Sequence, residues 1–273
     1  VAGVATFTGL SIDRAGAGYT LSASAASLPA ATSAAFDIAA GPVSNLVFTA
    51  QPGATVAGAP ISPAVQVSAQ DALGNTNPGF TGNVTVAIDN NAGSGSLSGT
   101  ATAAAVAGVA TFANLSIDKA GTGYTLRATS GALTPGTSAA FDIAAGSATK
   151  LVFMVQPSAA GAGLAITPAV QVAAQDALGN TDPTFTGNVT AAIGTNPGSG
   201  TLSGTVTVAA ASGVASFADL SIDKVGAGYT LTAASGALTG GISATFDIMA
   251  GPPAALVETV PAYAFSSPDQ PPV

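Results

Sequence analysis

The chain has no Cys, no His and no Trp, and only 5 of its 273 residues are Lys or Arg. Without His or Cys there is no Ser–His or Cys–His nucleophile pair and no ordinary zinc or copper ligand set. Without Cys there are no disulfide staples, so each domain must rely on an apolar core, which about 100 residues can supply. Five cations against 13 acidic residues, a net charge of −8, argue against nucleic acid, because phosphate neutralisation needs clustered Lys and Arg. The same balance disfavours anionic membrane surfaces. Charged residues make up 7 % of the chain, against roughly 25 % in ordinary soluble domains, so Ser, Thr, Asn, Gln and the backbone must carry its hydration. No apolar run reaches the roughly 18 residues of a spanning helix, so no membrane insertion is expected. Any export signal is expected outside the given sequence, since no basic segment followed by an apolar stretch opens it.

What the chain does have is repetition. Hydrophobic residues make up 48 %, mostly Ala and Val, punctuated by 34 Gly and 17 Pro, which is the vocabulary of strands and turns. Phe7, Phe112 and Phe217 stand 105 residues apart, as do Tyr19, Tyr124 and Tyr229. The 28-residue block Ile61–Ile88 returns at Ile166–Ile193 with five differences. A period near 100 matches a whole domain, not a solenoid unit. The chain divides into the C-terminal part of an incomplete domain (1–45), two complete copies (46–150 and 151–255) and a Pro-rich tail (256–273). Half a sandwich leaves its inner face and strand edges uncovered, so the remainder of the first copy is expected mainly from upstream sequence.

Within 46–150 the alternation predicts seven antiparallel strands: Asn45–Ala50, Ala64–Gln70, Asn83–Ile88, Ser96–Ala103, Val109–Ile117, Tyr124–Thr129 and Ala139–Ala144. Turn residues lie between them, and no segment holds helical spacing with caps. Seven short strands in about 100 residues predict an all-β fold of tandem immunoglobulin-like β-sandwiches. The run Asp118–Leu126 resembles the tyrosine corner of such domains, with Tyr124 expected to return a hydroxyl hydrogen bond to upstream backbone; Tyr19 and Tyr229 occupy the same place in their copies. Leu21, Leu126 and Leu231 stand where immunoglobulin domains carry their second Cys, so packing replaces the disulfide.

The segments Leu151–Phe153 with Gln156 and Pro157, Pro168–Val172, Asp176–Asn180, and Gly213–Phe217 with Leu220–Asp223 resemble bacterial immunoglobulin-like (Big-type) repeats. These occur in tandem in large surface proteins and in invasin- or intimin-like adhesins. The resemblance covers nearly the whole chain to about residue 255. It implies an exported bacterial protein, extracellular or at the cell surface, with the periplasm as the alternative, whose domains are strung end to end.

Two carboxylates facing each other across a cleft would be the remaining catalytic route. The aspartates instead recur once per copy, as Asp13, Asp118 and Asp223 or Asp37, Asp142 and Asp247. An active site is built once, whereas a structural role is copied with its domain; no enzyme and no cofactor are expected. Calcium is the one metal to weigh: Asp176, Asn180 and Asp182, with Asp71, Asn75 and Asn77 in the earlier copy, place hard oxygen ligands within seven residues. The competing reading, with one or two acids per loop, is a turn that Asp176 opens and Gly179-Asn180 closes, and the turn is favoured.

Tyr263 and Phe265 are the two aromatics outside the repeat and are candidate docking anchors for a neighbouring domain or subunit, against a plain polyproline-type end. The sequence thus predicts a non-enzymatic structural or adhesive array acting as stalk or spacer, with protein partners or neighbouring subunits and no nucleic acid. Its alternatives are a subunit of an extracellular filament or surface assembly, and an accessory ligand-binding module of a larger exported enzyme.

Overall fold

A computed structural model describes residues 3–251. Among them there is no helix; every regular element is a strand. They form two compact units, one of residues up to 150 together with 174–185, the other of 151–173 and those from 186 onward.

In the first unit the incomplete copy contributes β1 (Gly16–Tyr19), β2 (Ser22–Ala23), β3 (Ala31–Thr32) and β4 (Phe36–Ile38). The complete copy follows with β5 (Asn45–Ala50), β6 (Thr55–Val56), β7 (Val65–Gln70), β8 (Asn83–Ile88), β9 (Leu97–Ser98), β10 (Thr102–Ala104), β11 (Val109–Phe112), β12 (Ser116–Ile117), β13 (Gly121–Tyr124), β14 (Leu126–Thr129), β15 (Gly136–Thr137) and β16 (Phe141–Ala144). One sheet has the order β11-β7-β5 and the facing one β10-β8-β14-β15, which past the β13/β14 and β15/β16 breaks is continued by β13-β16-β6; β12 and β9 form a separate pair. Alternation aims one face of each at the other. Val65, Val67 and Ala69 of β7, Phe112 of β11, Val84 and Val86 of β8, and Leu126 and Ala128 of β14 are all buried in one core with Leu115, Ile117 and Tyr124. Each such Val, Leu or Phe contributes on the order of 1.5–3 kcal/mol on leaving water.

The strands are shorter than the alternation predicts, for local reasons. Ser96–Ala103 breaks at Gly99, whose φ of +99° a side chain resists and whose Cα lies against the Asn114 carbonyl. Val109–Ile117 breaks at Asn114 itself, where the side-chain oxygen accepts the Thr100 N–H at 2.9 Å, offering the backbone an alternative to the ladder. Between Gly121 and Tyr124 the register shifts by a bulge, with Gly123 at φ +84°. β6 runs parallel to β16, and a parallel bridge joins Asn45 of β5 to Thr134. After β5, Gln51-Pro52-Gly53 carries the chain across to the other sheet edge; Pro52 has no N–H for a ladder, and Gly53 passes so close to the Ser62 carbonyl that a Cβ would collide.

The second unit repeats these pairings. Val170–Ala173 pairs with Val214–Phe217, Asn188–Ile193 lies between Thr207–Ala209 and Leu231–Ala234, and Ala160–Gly161 runs parallel to Phe246–Met249. Phe217, Leu220, Ile222, Tyr229 and Leu231 are buried, as are their equivalents in the earlier copy. In the incomplete copy, by contrast, Phe7 is 67 % and Leu10 66 % exposed, because no described strand covers the face that β7 and β8 cover on Phe112 and Leu115.

Candidate functional site

The loop that leaves β7 is set by its own residues. Asp71 Oδ1 accepts the N–H groups of Leu73 and Asn75, both at 2.9 Å, which folds an Asx turn, and Gly74 supplies the left-handed position at φ +85°. The other oxygen, Oδ2, faces the preceding copy. It accepts the Gly41 N–H at 2.8 Å and Asn75 Nδ2 at 3.0 Å. Asn75 then bonds the incomplete copy with both ends of its amide: Oδ1 accepts the Ala15 N–H at 2.9 Å and Nδ2 donates to the Asp13 carbonyl at 2.9 Å.

The same arrangement recurs in segment 174–185 of the first unit. Asp176 Oδ1 accepts from the N–H groups of Leu178 (2.9 Å) and Asn180 (2.8 Å), and Oδ2 from the Gly146 N–H (2.9 Å) and Asn180 Nδ2 (3.0 Å). Asn180 Oδ1 accepts the Ala120 N–H at 3.0 Å, and its Nδ2 donates to the Asp118 carbonyl at 3.0 Å. One bond is added here and one is exchanged. Lys119 Nζ donates to the Leu178 carbonyl at 2.7 Å, and Asp182 Oδ2 accepts the Ala148 N–H at 3.0 Å while its Oδ1 holds Thr184. At the earlier junction Asn77 stands in the place of Asp182 and donates instead, from Nδ2 to the Gly41 carbonyl at 2.8 Å.

Donors set the protonation of these acids. The Asn75 backbone N–H, then the Asn75 amide and the Gly41 N–H, hold the Asp71 carboxyl down at about 2. Burial pushes Asp176 up, but the Asn180 side chain, the Asn180 N–H and the Gly146 and Leu178 N–H groups outweigh it, and the net shift is downward. Thr184 through its hydroxyl lowers Asp182. A carboxylate has about four lone-pair sites, and at Asp176 all four meet an N–H. A calcium ion asks for six to eight oxygens, whereas these side chains face backbone and amide donors. Among the described residues no three His, Cys, Asp or Glu gather as a metal set.

Next to each receiving turn lies the corner tyrosine. Tyr124 Oη donates to the Lys119 carbonyl at 2.9 Å, Tyr229 to that of Lys224 at 2.9 Å, and Tyr19 to that of Arg14 at 3.1 Å. Burial raises the Tyr124 hydroxyl pKa. Glycines at 93 and 95, and at 198 and 200, leave room for the hydroxyl that any Cβ would fill. With two facing sheets, a parallel first-to-last edge and this corner, the fold is settled. The chain is an all-β array of immunoglobulin-like sandwiches.

No family model and no curated protein matches the sequence. Among solved structures it is similar to the Escherichia coli adhesin FdeC, at 18 % identity over 79 % of this chain and 67 % of that one, TM-score 0.36. It is similar to a β-glycosidase from Bacteroides vulgatus at 15 % identity over 75 % of this chain and 25 % of the other, TM-score 0.34. The D00–D0 domain of intimin matches at 14 % identity over 74 % and 98 %, TM-score 0.33. At such TM-scores the fold rests on the strand pairings above, and fold by itself does not choose a function.

The residues that receive the loops, namely Asp13, Ala15 and Gly41 and their equivalents Asp118, Ala120 and Gly146, escape a reading of one copy because they act through main-chain groups. Their signal is the shared period: each Asn of the loop lies 62 residues after the Asp whose carbonyl it meets. The docking candidates Tyr263 and Phe265 lie outside the described residues.

Proposed function

We propose that the chain is a non-enzymatic structural array of a bacterial cell-surface or secreted protein, in which each copy is locked to its predecessor by the Asp-Ala-Leu-Gly-Asn loop, so that the array acts as a spacer. The observation that carries this reading is the duplication of the lock. A catalytic or ligand site has no reason to recur at every junction, whereas a spacer has to hold every joint. The lock needs no cation, since the Asn amide supplies the donors that a metal would otherwise replace. It also uses few charges, which suits a chain with 7 % charged residues.

The test is removal of one period, residues 46–150, from the native protein in its own cells. Surface display is expected to persist, with the most distal epitope brought closer to the cell by one copy and any partner recognition retained. Loss of a binding or catalytic activity at unchanged display would assign the function to the copy itself and overturn the spacer.

A further inference from the structure

We propose that the corner tyrosine is a positioning residue for the junction as well as a fastener within its own sandwich. The inference rests on reading the loops as inter-copy locks. The Lys119 carbonyl that Tyr124 holds and the Ala120 N–H that Asn180 holds belong to one peptide unit. That unit is planar and trans, so its C=O and N–H point in opposite directions and cannot be aimed separately. Tyr124 Oη at 2.9 Å on one side therefore fixes the direction of the N–H that meets Asn180 Oδ1 at 3.0 Å on the other. A hydrogen bond on the carbonyl also polarises the amide and strengthens its N–H as a donor.

The same peptide geometry recurs one period earlier, where Tyr19 holds the Arg14 carbonyl at 3.1 Å and Asn75 takes the Ala15 N–H at 2.9 Å. In the last copy Tyr229 holds the Lys224 carbonyl at 2.9 Å, which aims the Val225 N–H outward. No described residue is seated on that turn, and Asp223, Lys224 and Val225 are exposed where Asp118, Lys119 and Ala120 are half-buried. Among the described residues the Tyr229 bond is thus made with the same length as the Tyr124 bond whether or not a loop is seated on the turn, as expected if the tyrosine prepares the turn.

The test is amide hydrogen exchange on the full chain, comparing Tyr124→Phe with Tyr229→Phe. Both lose one equivalent hydroxyl, but only Tyr124 stands behind an occupied turn. Tyr124→Phe is expected to speed exchange at Ala120 and, across the lock, at Gly146 by about five-fold, the change produced by losing one hydrogen bond of ordinary net strength. Tyr229→Phe is expected to leave both at wild-type rates. Unchanged rates in Tyr124→Phe, or equal acceleration in Tyr229→Phe, would overturn the proposal. If Tyr124→Phe does not fold, Tyr19→Phe reads the same coupling at Ala15 and Gly41 from a half-buried ring. Asn180→Ala separates the two layers of the argument. If it exposes Ala120 while Tyr124→Phe does not, the lock stands and the tyrosine's part falls; if Asn180→Ala leaves Ala120 protected, the lock itself falls and the proposal with it.

Discussion

Replacing Asp176 by Asn keeps the shape of the side chain and removes half of its accepting capacity. In the native loop both oxygens are needed, two N–H donors on each. An Asn offers one oxygen, and whichever way the amide is turned its NH2 faces two donors. Two charge-assisted bonds are lost, and the two that remain become neutral ones. Bonds to a charged group contribute about 1.5–3 kcal/mol and neutral ones about 1. The sum lies near 4–10 kcal/mol. The bonds from the Gly146 and Leu178 N–H groups are only part-buried, so these donors can be rehydrated when freed, which brings the expected loss down to about 3 kcal/mol. Asp176→Asn is thus expected to lower the melting temperature of the affected domain by about 12–24 °C, since 1 kcal/mol shifts a domain of about 100 residues by about 4–8 °C. Scanning calorimetry of the full chain reads this as one transition moving away from the others, because several domains need not melt as a single two-state unit. A shift below about 2 °C would mean that the Asp176 bonds are worth no more than water contacts, and the lock would lose its energetic basis.

Three further outcomes follow from the same structure. Asp71, Asp176, Asp182 and Asp219 are all lowered by their donors, so the folded state binds protons less readily than the unfolded one; their contribution is complete above about pH 4 and is lost as pH falls toward the Asp71 value of about 2. Thermal melts from pH 7 to 2 should be level down to about pH 4 and then fall, and a melting temperature that rises on acidification contradicts this. A chelator should leave the melting temperature unchanged, and a drop of several degrees on chelation would make the Asp176 loop a metal site. Ala191 occupies the buried position that Val86 fills in the earlier copy, beside Ala233 where Val86 has Ala128; Ala191→Val should therefore stabilise its domain by about 1 kcal/mol, checked by denaturant melts, and a loss would show that the two cores are packed differently.

The sheets are legible in the sequence because a buried face imposes period two: Val65, Val67 and Ala69, or Val84 and Val86, can face the core in only one register. Strand ends are less legible, since they depend on what approaches the backbone. Gly99 looks like any strand glycine until the Asn114 carbonyl is seen beside it. The Asp176 loop shows the same limit at the level of function. Oxygen-bearing side chains at positions 1, 5 and 7 of a loop suit either a cation or a set of N–H donors, and the donors that decide between them belong to Ala120, Gly146 and Ala148, far back in the chain. Main-chain donors carry no side-chain signature, so composition and spacing around the loop cannot reveal them. What does reveal them is that a loop and its receiving turn recur at one period. In a tandem array a contact between neighbours has the same sequence separation at every junction, 62 residues from Asp13 to Asn75 and again from Asp118 to Asn180. Polar residues that repeat in pairs at such a fixed offset, without forming a site within one copy, are therefore the place to look for the joints of a repeat protein.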